Sequence, residues 1–209
     1  MYDDEKLDVI KDWLGAGSIN IFGRPFAGKD TQGERLATIL NAQLIGSGEI
    51  LRGNTIPDHI KEYMRAGELI PSEDFVNIVL PYLNQPLLAD KPLILSSIGR
   101  WHGEEDGVIK VLEKSNHKLM AVVYLDISDT DSYDRWTALT SLKDRQGRND
   151  DAEEVLKTRL TEFQEKTLPV IDYYRNLGML IEINGKRMRD QVIQDILDAL
   201  SKRTDIDRV

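Results

Sequence analysis

Hydrophobic residues along the chain form either short apolar runs or stretches in which they recur every three or four positions. Five apolar runs are typical of β-strands, and they cover residues 18–22, 42–46, 92–97, 119–127 and 178–183. Helical spacing dominates between these runs, as in Leu36, Ile39 and Leu40. Short apolar strands separated by helices predict an α/β fold in three layers, α/β/α, with a five-stranded parallel sheet covered on both faces.

Three further segments have the periodicity of amphipathic helices. Residues 4–14 place apolar side chains on one face and begin with acidic residues, which stabilise a helix N-terminus. Another helix begins near Asp150, and Pro169 is expected to kink or end it because proline lacks a backbone N–H. The last predicted helix lies within residues 188–203. With no repeat or linker between these elements, we expect a single domain over residues 1–209.

Composition and charge restrict the function classes. The chain has 209 residues and no cysteine, so neither disulfides nor thiolate zinc sites can form. A net charge of −9 argues against non-specific binding to nucleic acid. The acidic N-terminus does not resemble a signal peptide, and apolar runs such as residues 119–125 are too short to span a membrane. We therefore expect a cytoplasmic protein with no membrane or nucleic-acid partner.

A glycine-containing loop, GRPFAGKDTQ, lies between the first predicted strand and the following helix. In that position, the backbone N–H groups from Gly28 to Thr31 would point at an anion, and Lys29 would reach the outer phosphates of a nucleotide. The general phosphate-loop motif has Ser or Thr directly after the lysine, whereas this chain has Asp30 there and Thr31 one position later. The alternative is a glycine turn with a surface lysine.

Five segments that follow the loop make the prediction more specific. They are LIGSGEILR at 44–52, GELIP at 67–71, SSIGRW at 96–101, YDRW at 133–136 and GRNDDAEEVLKTRLTEF at 147–163. Together with the loop, and in this order, they resemble the adenylate kinase family of nucleoside monophosphate kinases. In that family threonine comes second after the lysine, so the position of Thr31 agrees with the resemblance.

The resemblance implies a P-loop nucleoside monophosphate kinase fold and transfer of the γ-phosphoryl group of ATP to a nucleoside monophosphate, with AMP as the first expectation and Mg²⁺ as cofactor. It implies an acceptor-binding insertion at about 46–75, a short lid loop at about 136–148 and a monomer, while residues 1–17 are an addition. Two alternatives stay open: a kinase of the same fold for CMP, UMP or a deoxynucleotide, and a non-catalytic nucleotide-binding module.

The same resemblance implies roles for individual residues. The donor site would comprise Gly23, Phe26, Ala27, Gly28, Lys29, Asp30, Thr31 and Arg135. The acceptor site would comprise Ser47, Gly48, Arg52, Leu69, Ile70 and Arg100, with His102 as a candidate for the acceptor base. The catalytic cations would be Lys29, Arg100, Arg148 and Arg159. Asp150 and Asp151 would fix the closing lid or, as an alternative, cap the helix that follows.

The sequence departs from the family pattern at several positions. Phe26 and Asp30 each replace a glycine of the loop, and Ser96 replaces an aspartate that holds Mg²⁺ through water. One hypothesis is that Asp30 supplies the negative charge that Ser96 cannot; the alternative is that Asp30 only stabilises the helix start.

Two further departures concern nucleotide contacts. Leu139 stands where the family has a further phosphate-binding arginine, unless Arg145 supplies it. The glutamine of the family that binds the acceptor adenine has no direct counterpart, and His102 or Glu104 stands nearest. By itself, His102 is more typical of a polar surface histidine than of a group that contacts the base.

Overall fold

Side chains of the central strands alternate between two hydrophobic cores, one on each face of a parallel sheet. The structure is a computed structural model that describes residues 3–141 and 152–207. Its strands are β1 Ser18–Gly23, β2 Gln43–Gly46, β3 Leu93–Ser96, β4 Leu119–Asp126 and β5 Leu180–Asn184. They pair in the order β2-β3-β1-β4-β5, every neighbouring pair parallel. The predicted five-stranded parallel sheet is therefore confirmed.

Helices cover both faces of the sheet. Up to β3, they are α1 Asp4–Leu14, α2 Lys29–Leu40, α3 Ser47–Gly53, α4 Asp58–Ala66, α5 Ser72–Asp74, a π-helical turn at Phe75–Val79, α6 Leu80–Tyr82 and a 3₁₀ turn at Pro86–Leu88. After β3, they are α7 Glu105–Lys114, α8 Asp129–Ser141, α9 Glu153–Glu162, a π-helical turn at Phe163–Thr167, α10 Leu168–Asn176 and α11 Arg189–Asp207. In the part of the chain that the structure describes, we find no helix long and apolar enough to cross a membrane.

Alternation along the strands explains the two cores. In β4, Val122 and Tyr124 point to the core shared with α3, α7 and α10, while Val123 and Leu125 point to the core shared with α1, α2 and α11. Strands buried on both faces read as continuous apolar runs, which is why they were recognisable in the sequence.

The N-terminal helix α1 is an integral part of the second core. Ile10 and Leu14 are 0% and 3% exposed and pack in the same cluster as α11 residues. The Lys6 ammonium donates to Asp198 at 2.6 Å, and the Trp13 indole N–H donates to Asp207 at 3.1 Å. The N-terminal helix α1 therefore packs against the C-terminal helix α11.

The long helical segment that begins at Glu153 continues through Pro169. A π-helical turn at Phe163–Thr167 lies directly before α10, and Pro169 occupies the first turn of α10. A π turn opens the hydrogen-bond ladder by one residue, and the first turn of a helix tolerates proline because its N–H groups lack intrahelical partners. Of the two predicted outcomes, an end of the helix at Pro169 is wrong, since the chain remains helical to Asn176, while the regular α-helix is interrupted by the π turn just before it.

Candidate active site

A cleft of about 330 Å³ opens at the carboxyl ends of three neighbouring strands. Gly23, Gly46 and Ser96 are the last residues of β1, β2 and β3, and all three line the cleft. In open parallel sheets this edge is where ligands bind. Four predicted cations also line it: Lys29, Arg52, Arg100 and Arg159. Six carboxylates line the cleft as well, so its affinity for anions depends on where the four cations stand and not on its net charge.

The loop after β1 has the geometry of an anion-binding helix start. Gly28, with a φ of 91°, is the residue that precedes α2, and Lys29 is its first residue. The Lys29 ammonium donates to the carbonyl of Arg24 at 3.3 Å across the loop. Phe26 has a φ of 63°, so its backbone accepts the left-handed conformation that a glycine would adopt without strain. Phe26 therefore departs from the family in side chain but keeps a glycine-like backbone.

Arg135, in α8, holds this loop through hydrogen bonds to its backbone carbonyls. Its guanidinium donates to the carbonyls of Phe26 at 3.2 Å and Ala27 at 3.4 Å, and to the carbonyl of Gly185 at 2.6 Å. These contacts connect α8, the phosphate loop and the segment after β5. The residue predicted to lie against the donor base therefore contacts the glycine loop but does not line the cleft.

Asp30 and Ser96 meet at the floor of the cleft. The Ser96 hydroxyl donates to Asp30 Oδ1 at 2.9 Å, across 66 positions of sequence. Both residues line the cleft, as does Lys29. The two departures from the family pattern are therefore in direct contact, and the Asp30 carboxylate lies where the end of β3 reaches the phosphate loop.

The loop after β3 positions Arg100. Asn20, buried in β1, donates its amide to the carbonyl of Ile98 at 2.8 Å, and its Oδ1 accepts the Ile98 N–H at 3.2 Å. The Arg100 Nε donates to the carbonyl of Ser97 at 3.3 Å. Burial lowers the pKa of the Arg100 guanidinium; Arg159 lowers it further, whereas Asp30 opposes that shift. An arginine stays protonated under such a shift, so Arg100 holds a desolvated positive charge.

The residues predicted for the acceptor site begin at α3. The Ser47 hydroxyl donates to the carbonyl of Ser97 at 3.5 Å. The Arg52 guanidinium lies over Gly48, where an added Cβ would stand only 3.1 Å from Arg52 Nη1. A glycine at this position therefore leaves space for the arginine to lie against the backbone.

Glu104 is one of the two residues nearest to the position of the family glutamine, and the spacing of the sequence did not decide between it and His102. Its buried carboxylate accepts the N–H groups of Arg100 at 2.9 Å and Trp101 at 3.1 Å, and the Ser72 hydroxyl at 2.8 Å. Burial raises the pKa of Glu104, although these three hydrogen bonds oppose the shift. Glu104 lines the cleft, so the residue near the position of the family glutamine is present at the site.

Other predicted residues lie outside the cleft. The His102 side chain is 64% exposed and pairs with Glu105 at 2.9 Å. Ala27, Gly28 and Thr31 belong to the loop and the first turn of α2 without lining the cleft. The predictions for Arg145, Arg148, Asp150 and Asp151 lie outside the residues that the structure describes.

Comparisons with known proteins agree with this geometry. The family model described as adenylate kinase matches residues 21–179. This chain belongs to the adenylate kinase family. A curated adenylate kinase of Desulfitobacterium hafniense is 32% identical over 209 residues, covering 86% of this chain and 96% of that protein. Those of Leptospira biflexa and Phocaeicola vulgatus are 32% and 30% identical, and cover 85% and 88% of this chain.

Membership of the adenylate kinase family confirms three of the predictions from the sequence. The fold is the three-layer α/β/α arrangement of that family. The chain is an enzyme, a nucleoside monophosphate kinase that transfers a phosphoryl group from ATP. The resemblance based on the ordered segments is therefore confirmed. Several weak motifs in a fixed order are far more specific than a single weak motif.

Proposed function

We propose that the cleft binds ATP and AMP together and catalyses transfer of the γ-phosphoryl group to give two ADP. The observation that carries this proposal is the convergence of Lys29, Arg52, Arg100 and Arg159 on one cleft in an acidic protein. A site for a single phosphate group needs fewer cations. Four cations in one cleft suit two polyanionic substrates that must be brought together in spite of their mutual repulsion.

The chain's own residues would divide this work between the two nucleotides. The loop from Gly23 to Thr31 holds the donor phosphates through its backbone N–H groups and Lys29. Arg52 and Arg100 hold the acceptor phosphate, one of whose oxygens attacks the γ-phosphorus while the bond to the β–γ bridging oxygen breaks. Arg159, close enough to Arg100 to affect its pKa, stabilises charge on the transferring group. We place Arg148 in the same role, with Asp150 and Asp151 fixing the lid.

The residues at the cleft floor fit a magnesium ion carried by ATP. Magnesium in nucleotide enzymes is bound by one or two carboxylates together with phosphates and waters, so a complete protein cage is not needed. The Asp30 carboxylate, oriented by the Ser96 hydroxyl at 2.9 Å, supplies one such group beside Lys29. Bound there, the ion would neutralise phosphate charge. Asp30 would thus replace the missing aspartate at position 96.

The acceptor base would lie between the turn at Leu69 and Ile70 and the loop at Arg100, because these segments form the remaining wall of the cleft. Glu104 is better placed than His102 to contact the base, since His102 points away to Glu105. We expect a cytoplasmic monomer that binds neither membrane nor nucleic acid. Sedimentation at micromolar concentration tests the monomer.

A coupled ADP-forming assay with ATP, Mg²⁺ and AMP, CMP, UMP or dAMP tests the proposed acceptor. We expect AMP to give the highest kcat/KM by at least tenfold over the pyrimidine nucleotides. A higher value for CMP or UMP would overturn AMP as the acceptor while leaving the enzyme class unchanged. ATP binding without transfer to any of these nucleotides would instead favour the non-catalytic module.

A further inference from the structure

A partly buried lysine connects the two walls of the acceptor side. The Lys166 ammonium donates to Glu162 Oε2 at 2.5 Å, and it lies 4.0 Å from the centroid of the Trp101 ring. Glu162 Oε2 also accepts the backbone N–H of Leu69 at 3.0 Å. Leu69 belongs to the acceptor-binding insertion, whereas Trp101 directly follows Arg100. One cation thus joins the insertion to the loop that carries the phosphate-binding arginine.

We propose that Lys166 is a positioning residue for the acceptor site. Through Glu162, it holds Leu69 and Trp101 at fixed positions relative to each other. This inference rests on the proposed function of the cleft. Lys166 itself does not line the cleft, whereas Glu162, Leu69 and Trp101 do. Its effect on the reaction therefore passes through these three residues and reaches the acceptor nucleotide only.

Partial burial distinguishes this ion pair from an ordinary surface pair. The side chains of Lys166 and Glu162 are 23% and 12% exposed, so water and salt screen their attraction less than on the surface. The ammonium also gains from the face of the indole ring at 4.0 Å. Without it, the Glu162 carboxylate would turn towards water and release the Leu69 N–H.

A second carboxylate joins the same two segments in parallel. Glu104 accepts the N–H groups of Arg100 and Trp101 on one oxygen and the Ser72 hydroxyl on the other. The insertion is therefore attached to the core at Leu69 through Glu162 and at Ser72 through Glu104. Loss of one link should loosen Leu69 without unfolding the domain, which makes the Lys166 link testable by itself.

The chain offers a matched control in Lys157. Lys157 pairs with Glu153 at 2.8 Å with the same four-residue spacing as Lys166 and Glu162, but these side chains are 59% and 54% exposed. Neither residue lines the cleft. The variant Lys157→Met therefore removes an ion pair of the same helical spacing whose partners do not line the cleft.

The test compares Lys166→Met, Lys166→Arg and Lys157→Met in two measurements. We expect Lys166→Met to raise the KM for AMP about five- to tenfold while the KM for ATP and kcat stay within twofold. Lys166→Arg, which keeps the cation, and Lys157→Met should both stay within twofold of the parent protein for all three constants.

The second measurement is hydrogen exchange at the Leu69 amide in the nucleotide-free protein, with Val123 in β4 as internal reference. Lys166→Met should speed exchange at Leu69 about tenfold relative to Val123, and Lys157→Met should not. Unchanged exchange at Leu69 would overturn the proposal whatever the activity, and so would an equal rise in the KM for ATP. If the parent protein phosphorylates no nucleotide, the proposed function fails, but the exchange measurement still decides whether Lys166 holds Leu69.

Discussion

Four cations from separate segments of the chain line one cleft. Lys29, Arg52, Arg100 and Arg159 could be found because each stands in a short segment with a family counterpart, and the structure brings all four to one cleft. Asn20 and Glu162 were missed because their roles depend on partners that lie 78 and 93 positions away in sequence. A local pattern carries no information about such contacts, which only the fold creates.

The pair Asp30 and Ser96 leads to a prediction about metal dependence. Asp30→Gly should lower Mg²⁺-dependent kcat/KM about a hundredfold, because it removes the carboxylate that we propose helps to hold the magnesium ion carried by ATP. Measurement of rate against Mg²⁺ concentration, together with Mn²⁺ affinity of the ATP complex by electron paramagnetic resonance, checks this. Glu34→Gln, at another carboxylate that lines the cleft, is the control. Unchanged activity and metal affinity in Asp30→Gly would leave Asp30 as a helix-start residue only.

Glu104 leads to a prediction about pH. Burial raises its pKa in the folded protein, so between its ordinary value and the raised value the folded state binds more protons than the unfolded state. Stability from this group is therefore present at low pH and is lost as pH rises, by at most about 1.4 kcal/mol per pH unit.

The variant Glu104→Gln isolates this effect. Gln cannot ionise but keeps a carbonyl oxygen for the N–H groups of Arg100 and Trp101. Denaturant unfolding of both proteins from pH 4 to 8 should show the parent losing stability relative to Glu104→Gln as pH rises. A constant difference between the two curves, or one of opposite sign, would contradict the raised pKa.

Secondary-structure elements were predicted more reliably than their exact contacts. The helix predicted over residues 4–14 agrees with α1, and the predicted strand over 119–127 agrees with β4 to within one residue. Both are strongly periodic or continuously apolar, so the local signal was unambiguous. The π turn before Pro169 was not predicted, because it has no sequence signature that a single chain reveals.

The helix α1 leads to a prediction about stability at this scale. Ile10→Ala should lower the free energy of unfolding by about 2–5 kcal/mol, because Ile10 is fully buried between α1 and α11. The KM values for both nucleotides should stay within twofold, since α1 does not line the cleft. Chemical denaturation and steady-state kinetics measure the two effects. Asp8→Ala, at an exposed position of α1, is the control, and an equal loss of stability there would contradict a packing role for Ile10.

At the scale of the whole molecule, the order of the strands in the sheet determines which segments meet at the cleft. With β3 between β2 and β1, the segments that follow these strands, α3, the Arg100 loop and the phosphate loop, meet at one edge. The alternation of strands and helices predicted a parallel sheet but not this order, because periodicity does not report which strands are neighbours. The order β2-β3-β1-β4-β5 is known from the structure alone.

The central claim is that this cleft transfers a phosphoryl group from ATP to AMP, and ³¹P magnetic resonance observes that transfer directly. With ATP, AMP and Mg²⁺, we predict two ADP formed for each AMP consumed and no release of inorganic phosphate. Arg100→Met should slow ADP formation at least a hundredfold while the protein remains folded. Formation of inorganic phosphate without consumption of AMP, or an Arg100→Met variant as fast as the parent, would contradict the account.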